Sequence, residues 1–145
     1  MQRPRLPKRI PDKIEVGAKV AYSRTFTEAD VALFIGVTWD INPLHTDDEY
    51  ASATTFKKRI LPGMLTASML THFGGLWAFV AKDMEFEFVA PVFIGDTITA
   101  HAEIIEIDQE KGWILLRCHC INHEGVEVLR ARISGFPGIF ENWER

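Results

Sequence analysis

The stretch "GMLTASMLTHFGGLWAFVA", residues 63–81, runs nineteen residues without an aspartate, glutamate, lysine or arginine. A helix of that length and polarity reaches the ~20 residues needed to span a bilayer. It also carries two threonines, a serine, a histidine and three glycines, more polarity than a lone span favours. A helix apolar nearly all round is equally the mark of one wrapped by its own protein. Burial is the reading adopted, and it sets the architecture. Pro62 and Gly63 open the helix, since a proline near a helix start gives up an N–H that has no intrahelical partner there.

The chain has 145 residues, enough for one domain with a substantial core. An apolar fraction of 47% and a charged fraction of 25% exclude wholesale disorder. A net charge of -4 and a pI near 5.7 argue against nucleic acid, which needs a basic face to neutralise phosphates. The opening "MQRPRLPKRIP" is basic and proline-broken without an apolar core, so no secretory signal is read there. Residues 1–18 are expected to form a loose tail and 19–145 the domain. Cys118 and Cys120 would share one face of a strand, which suits reduced thiols in a cytoplasmic setting.

Around the apolar run, the pattern predicts a first strand over 19–26. A helix capped by the Thr27-x-x-Asp30 pattern follows and is cut short near Gly36. A further helical turn is expected over 47–54. After Asp83 the alternation changes to period two, with strands predicted over 85–93, 97–107, 112–121 and 126–136, and "DQEKG" and "NHEG" as hairpin loops. One strand, short helices, one long buried helix and four antiparallel strands make an α+β protein, a sheet curled around a central helix. That architecture is the hotdog fold. One sheet cannot cover every face of so apolar a helix, so a homodimer is expected.

The remaining signal is "WDINPLHTDD", residues 39–48, which puts Asp40, Asn42 and His45 on one loop. Asp, Asn and Asn-Pro are ordinary turn formers, and on those propensities alone structural turn chemistry is favoured. A calcium loop fails, because Leu44 and His45 stand where an oxygen ligand and the obligatory Gly belong. Zinc fails too: strand alternation throws Cys118 and Cys120 to the face opposite His119. No metal or cofactor is expected.

Three ordered segments change the balance. "DINPLHTDDEYA", with Phe26-x-x-Ala29-Asp30 ahead of it, "ATTFKKRILPGML" and "FVAPVFIGDTI" together resemble the MaoC-like dehydratases, the (R)-specific enoyl-CoA hydratases. The resemblance implies that Asp40 and His45 are the catalytic pair and that the Gly63 N–H is the oxyanion donor. It also places Thr71 near a small hydroxyl residue beside the pocket. Two positions depart from the family pattern: Trp39 stands where Gly usually precedes the Asp, and Pro62 where His often precedes the Gly. Trp39 is therefore expected to reshape the substrate site, and Asn42 to brace the loop at its edge.

The implied reaction adds water to a trans-2-enoyl-CoA to give an (R)-3-hydroxyacyl-CoA, or runs in reverse. Water must lose a proton as it attacks Cβ, Cα must gain one, and the thioester oxygen must carry charge meanwhile. A carboxylate and a neutral imidazole suit the proton transfers, because the reference imidazole pKa of ~6.5 lies near working pH. A free helix N-terminus suits the oxygen. Two other readings stay open here: a hotdog acyl-CoA thioesterase, and a non-catalytic acyl-thioester-binding subunit whose pocket Trp39 fills. Neither a nucleic-acid nor a membrane partner is expected.

Overall fold

The structure is a computed structural model that describes residues 14–138. Five strands form one antiparallel sheet in the order β1-β3-β4-β5-β2, with β1 Lys19–Thr25, β2 Val80–Phe88, β3 Thr97–Asp108, β4 Trp113–Asn122 and β5 Glu127–Phe136. The helices are α1 Glu28–Thr38, α2 Pro43–Thr46, α3 Asp48–Ser52, α4 Gly63–Ala67 and α5 Met69–Trp77.

Period-two alternation sends one side of each central strand inward. Ile98, Ala100, Ala102 and Ile104 of β3, and Ile114, Leu116, Cys118 and Cys120 of β4, are all buried. Against them lie Leu65, Met69, Leu70, Phe73 and Trp77 from the α4–α5 rod. Strand β1 is tied to the same rod by the Tyr22 hydroxyl, which donates to Met69 O at 2.7 Å. The hairpins β3–β4 and β4–β5 turn at Gly112 (φ 75°) and Gly125 (φ 79°), left-handed positions that favour glycine. Ahead of β1, Ile14 and Ala18 pack against the core, and the Gly17 N–H donates to Ile104 O. Residues 1–13 of the expected tail lie outside the described residues.

Several expectations need correction. The apolar run is not one helix: Ser68 sits between α4 and α5, where the Thr71 N–H reaches back to Ser68 O in a tight i→i+3 turn. The rod then ends at Ala78, which takes a left-handed conformation (φ 48°). Its last apolar residues start β2 instead, so that strand covers Val80–Phe88 rather than 85–93. The four later strands do not pair in simple succession, since β2 crosses to β5 and becomes an edge. Helix α1 also runs on through Gly36 to Thr38. The capping box on Thr27 and Asp30 is present as expected.

By the described residues the rod is covered on one side only. Met64 is 52% exposed, and Thr71, His72 and Gly75 are exposed beside it. Edge strand β2 adds exposed Val80, Met84 and Phe88.

Candidate active site

The loop after α1 is built by a relay of short hydrogen bonds. Thr38 donates its hydroxyl to Phe34 O at 2.8 Å and accepts the Asp40 N–H at 3.2 Å. Between them Trp39 caps α1 in a left-handed conformation, φ 58°, with its N–H on Ile35 O. Asp40 Oδ1 accepts the Asn42 N–H at 3.3 Å, and Asn42 Oδ1 accepts the Leu44 N–H at 3.0 Å, capping α2. Pro43 supplies the first residue of that short helix. Asn42 thus braces the loop, as its turn chemistry suggested.

On α2 the His45 side chain points inward and is only 7% exposed. Its Nδ1 lies 2.8 Å from Ile60 O. A carbonyl only accepts, so Nδ1 carries the proton, and in the neutral ring the lone pair is on Nε2. That Nε2 faces Asp40 Oδ2 at 3.6 Å, too long for a direct hydrogen bond. Asp40 itself is 42% exposed at the side chain. Two acceptors therefore converge on one point from a buried side and an open side, which suits a donor such as water held by both.

Backbone and charge fix the imidazole. The Ile60 N–H donates to Leu44 O at 3.1 Å, so Ile60 clasps α2 with both of its polar groups. Arg59 donates to His45 O at 3.3 Å and to Asp48 at 2.7 Å, and it also pairs with Glu28 at the start of α1. Glu28 first, then Asp48, raise the pKa of the guanidinium above its ordinary value. Arg59, the last of the three consecutive cations Lys57, Lys58 and Arg59, thus joins α1, α3 and the loop that carries Asp40 and His45.

Three residues beyond Ile60, Gly63 begins α4. The Leu65 and Thr66 N–H groups turn back to Pro62 O. Among the described residues no acceptor meets the N–H of Gly63 or Met64, and Pro62 supplies no side-chain cap. Gly63 also packs tightly: a Cβ there would lie 2.8 Å from Phe88 Cε1.

Thr71 is exposed and donates its hydroxyl to Ser68 O at 2.6 Å within its own rod. Trp39, next to Asp40, is 83% exposed and fills no interior pocket. His72 lies on the Tyr22 ring, with centroids 4.4 Å apart. A cleft of about 400 Å³ lies on the outer face of the sheet, lined in part by Arg117, His119 and Arg130, and does not include Asp40 or His45. Ile60 and Phe88 are contributors the sequence did not single out. A backbone carbonyl has no sequence signature, whereas Phe88 does stand at the head of the "FVAPVF" segment.

Residues 11–115 match the MaoC like domain family. An (R)-specific enoyl-CoA hydratase of Rhodospirillum rubrum is 35% identical over 114 residues, which cover 75% of this chain and 78% of that protein. A protein of the same description from Aeromonas caviae is 36% identical over 102 residues, covering 68% and 76%. The solved (R)-hydratase from A. caviae involved in PHA biosynthesis superimposes with a TM-score of 0.82 at 29% identity, covering 88% of this chain and 99% of that one.

Proposed function

The chain belongs to the MaoC-like family, and on that premise we propose that it is an (R)-specific enoyl-CoA hydratase of the hotdog fold. It adds water to trans-2-enoyl-CoA to give (R)-3-hydroxyacyl-CoA, or dehydrates the product. The observation that carries the reading is the Asp40–His45 pair, 3.6 Å apart, with the Nδ1 proton committed to Ile60 O.

A water between Oδ2 and Nε2 donates one hydrogen to each acceptor, which leaves an oxygen lone pair free to attack Cβ. As the C–O bond forms, the pair takes one proton from the water and returns one to Cα, so the thioester ends neutral. In between, negative charge collects on the thioester oxygen. The free Gly63 N–H at the start of α4 is the donor assigned to that oxygen, a contact whose loss costs ~10²–10³ in rate in other enzymes. Trp39 and Thr71 are assigned to the rim of the substrate site.

The working unit is proposed to be a homodimer. Among the described residues, edge strand β2 pairs on one side only, with β5. Its exposed Met84 and Phe88, with Met64 on the neighbouring rod, form an apolar face that a second copy would bury. Among the described residues no helix is long and apolar enough to cross a membrane. Buried free thiols suit the cytoplasm.

Crotonyl-CoA and longer enoyl-CoAs test the activity through loss of enone absorbance, with chiral analysis of the product. Hydration to the (R)-alcohol without release of free CoA is expected. Free thiol without hydration would replace this reading with a thioesterase. Light scattering on the purified protein should give twice the chain mass.

A further inference from the structure

Two histidines stand directly opposite each other on the outer face of the sheet. His101 of β3 pairs with His119 of β4 in the antiparallel register, and their rings stack with centroids 4.6 Å apart and planes within 8° of parallel. Both residues are half-buried and line one cleft of about 370 Å³. Their neighbours on the same strands, Ala100, Ala102, Cys118 and Cys120, point the other way into the core. The charges around the rings leave them without a counterion. On β1, Ala21 stands opposite His101, and the cation Lys19 lies two residues along the same face. On β3, Glu103 is taken by Arg117 of β4 at 3.0 Å. On β5, Arg130 stands opposite His119 and Arg132 opposite Arg117. The β2 carboxylates Glu85 and Glu87 stand opposite Arg132 and Arg130. Glu87 reaches Arg130 at 3.6 Å, and Glu127 pairs with the same guanidinium. Among the described residues neither imidazole makes an ion pair with a carboxylate.

We propose that His101 and His119 form a pH-sensitive latch: stacked with at most one proton between them they hold β3 to β4, and a second proton drives the rings apart and weakens the centre of the sheet. An imidazolium against a neutral ring keeps the stack, whereas two like charges 4.6 Å apart repel. Like charges directly opposite on a sheet are destabilising, and Lys19, Arg117 and Arg130 nearby add to the cost. Burial first, and then the charge of His119, lower the pKa of His101 below its ordinary value. The unfolded chain escapes both effects and binds that proton more readily. The stability contributed is therefore full above the unfolded value of ~6.5 and is lost as pH falls from there through the folded one.

The test follows the imidazole signals of the full chain by proton NMR from about pH 8 to about pH 5, in the wild type, His101→Gln and His119→Gln. The signals of the pair are identified by their loss in each variant. His119→Gln should raise the midpoint of His101 by about half a pH unit or more, the worth of a like charge at this distance. Melting temperature is the second readout. Over the same pH range the wild type should lose about 2–5 °C more than either variant, because Gln at either position carries no charge. A His101 midpoint that ignores His119→Gln overturns the proposal, and so do equal losses of melting temperature in the three proteins.

Discussion

His45 Nε2 stands 3.6 Å from Asp40 Oδ2 while the other ring nitrogen is anchored on Ile60 O. The two partners carry unequal structural duties. Asp40 is nearly half exposed at the side chain, so Asp40→Asn should keep the melting temperature while removing the carboxylate that accepts a proton. A fall in kcat of about 10²–10⁴ is expected, the range for loss of a general base or acid. His45→Ala should lose activity to a similar extent. It should also lose about 1–3 kcal/mol of stability, because it strips the Ile60 carbonyl of its donor. Steady-state kinetics on crotonyl-CoA beside thermal melts separates the two effects. Full activity in either variant removes the pair from the mechanism.

Arg59 is the brace behind that pair, because one guanidinium reaches Glu28, Asp48 and His45 O. The planar, five-donor fork of Arg is pre-organised to serve several acceptors in fixed directions, which the ammonium of Lys is not. Arg59→Lys should keep the charge yet lose the geometry, and Arg59→Ala should lose both. For Arg59→Ala a melting temperature lower by roughly 3–8 °C is expected, with kcat reduced about tenfold as His45 loosens. Arg59→Lys should lie between. Equal melts and rates for all three proteins would reduce Arg59 to solvated surface charge.

The parts of the site legible in the sequence are those written in side chains at short spacing. Asp40, Asn42 and His45 sit within one loop, and Thr27 and Asp30 announce the capping box directly. Partnerships between distant segments were not legible. That β2 leaves β3 for β5 is a pairing of Val80–Phe88 with a strand some fifty residues on, for which the sequence carries no local signal. The helix break at Ser68 turns on backbone bonds that the apolar run does not encode. The Ile60 carbonyl, which fixes the His45 tautomer, is common to every residue type. The Gly63–Phe88 contact joins two motifs that the sequence shows only as separate strings.

The capping box makes a pH-dependent prediction. The Thr27 backbone N–H, with further help from the Arg24 and Thr27 side chains, holds the Asp30 carboxyl below its ordinary pKa against the opposing effect of burial. A depressed folded-state pKa adds stability that is present above the unfolded value, ~3.9, and is lost as pH falls through the folded one. Asp30→Asn keeps an acceptor but removes the charge. It should melt lower than the wild type at pH 7, and the gap should close on acidification below about pH 4. A gap constant from pH 7 to pH 3 would show that the charge contributes nothing.

Cys118 and Cys120 differ from catalytic thiols in that both face the core of β4. Burial pushes each thiol up to about 12, and for Cys118 the neighbouring Cys120 adds to the rise. At pH 8 almost no thiolate is present in the folded protein, and the thiolate is the reactive form. Native protein should therefore resist iodoacetamide or an aromatic disulfide reagent for hours. Denaturation in guanidinium should release both thiols at once, two equivalents per chain. Since labelling then requires opening of the β3–β4–β5 sheet, the labelling rate becomes a measure of that opening. Asp40→Asn should leave the rate unchanged, and Arg59→Ala should raise it only if the brace on α1 and α3 also steadies the sheet. Rapid labelling of the native wild type would show that the β4 thiols are not enclosed.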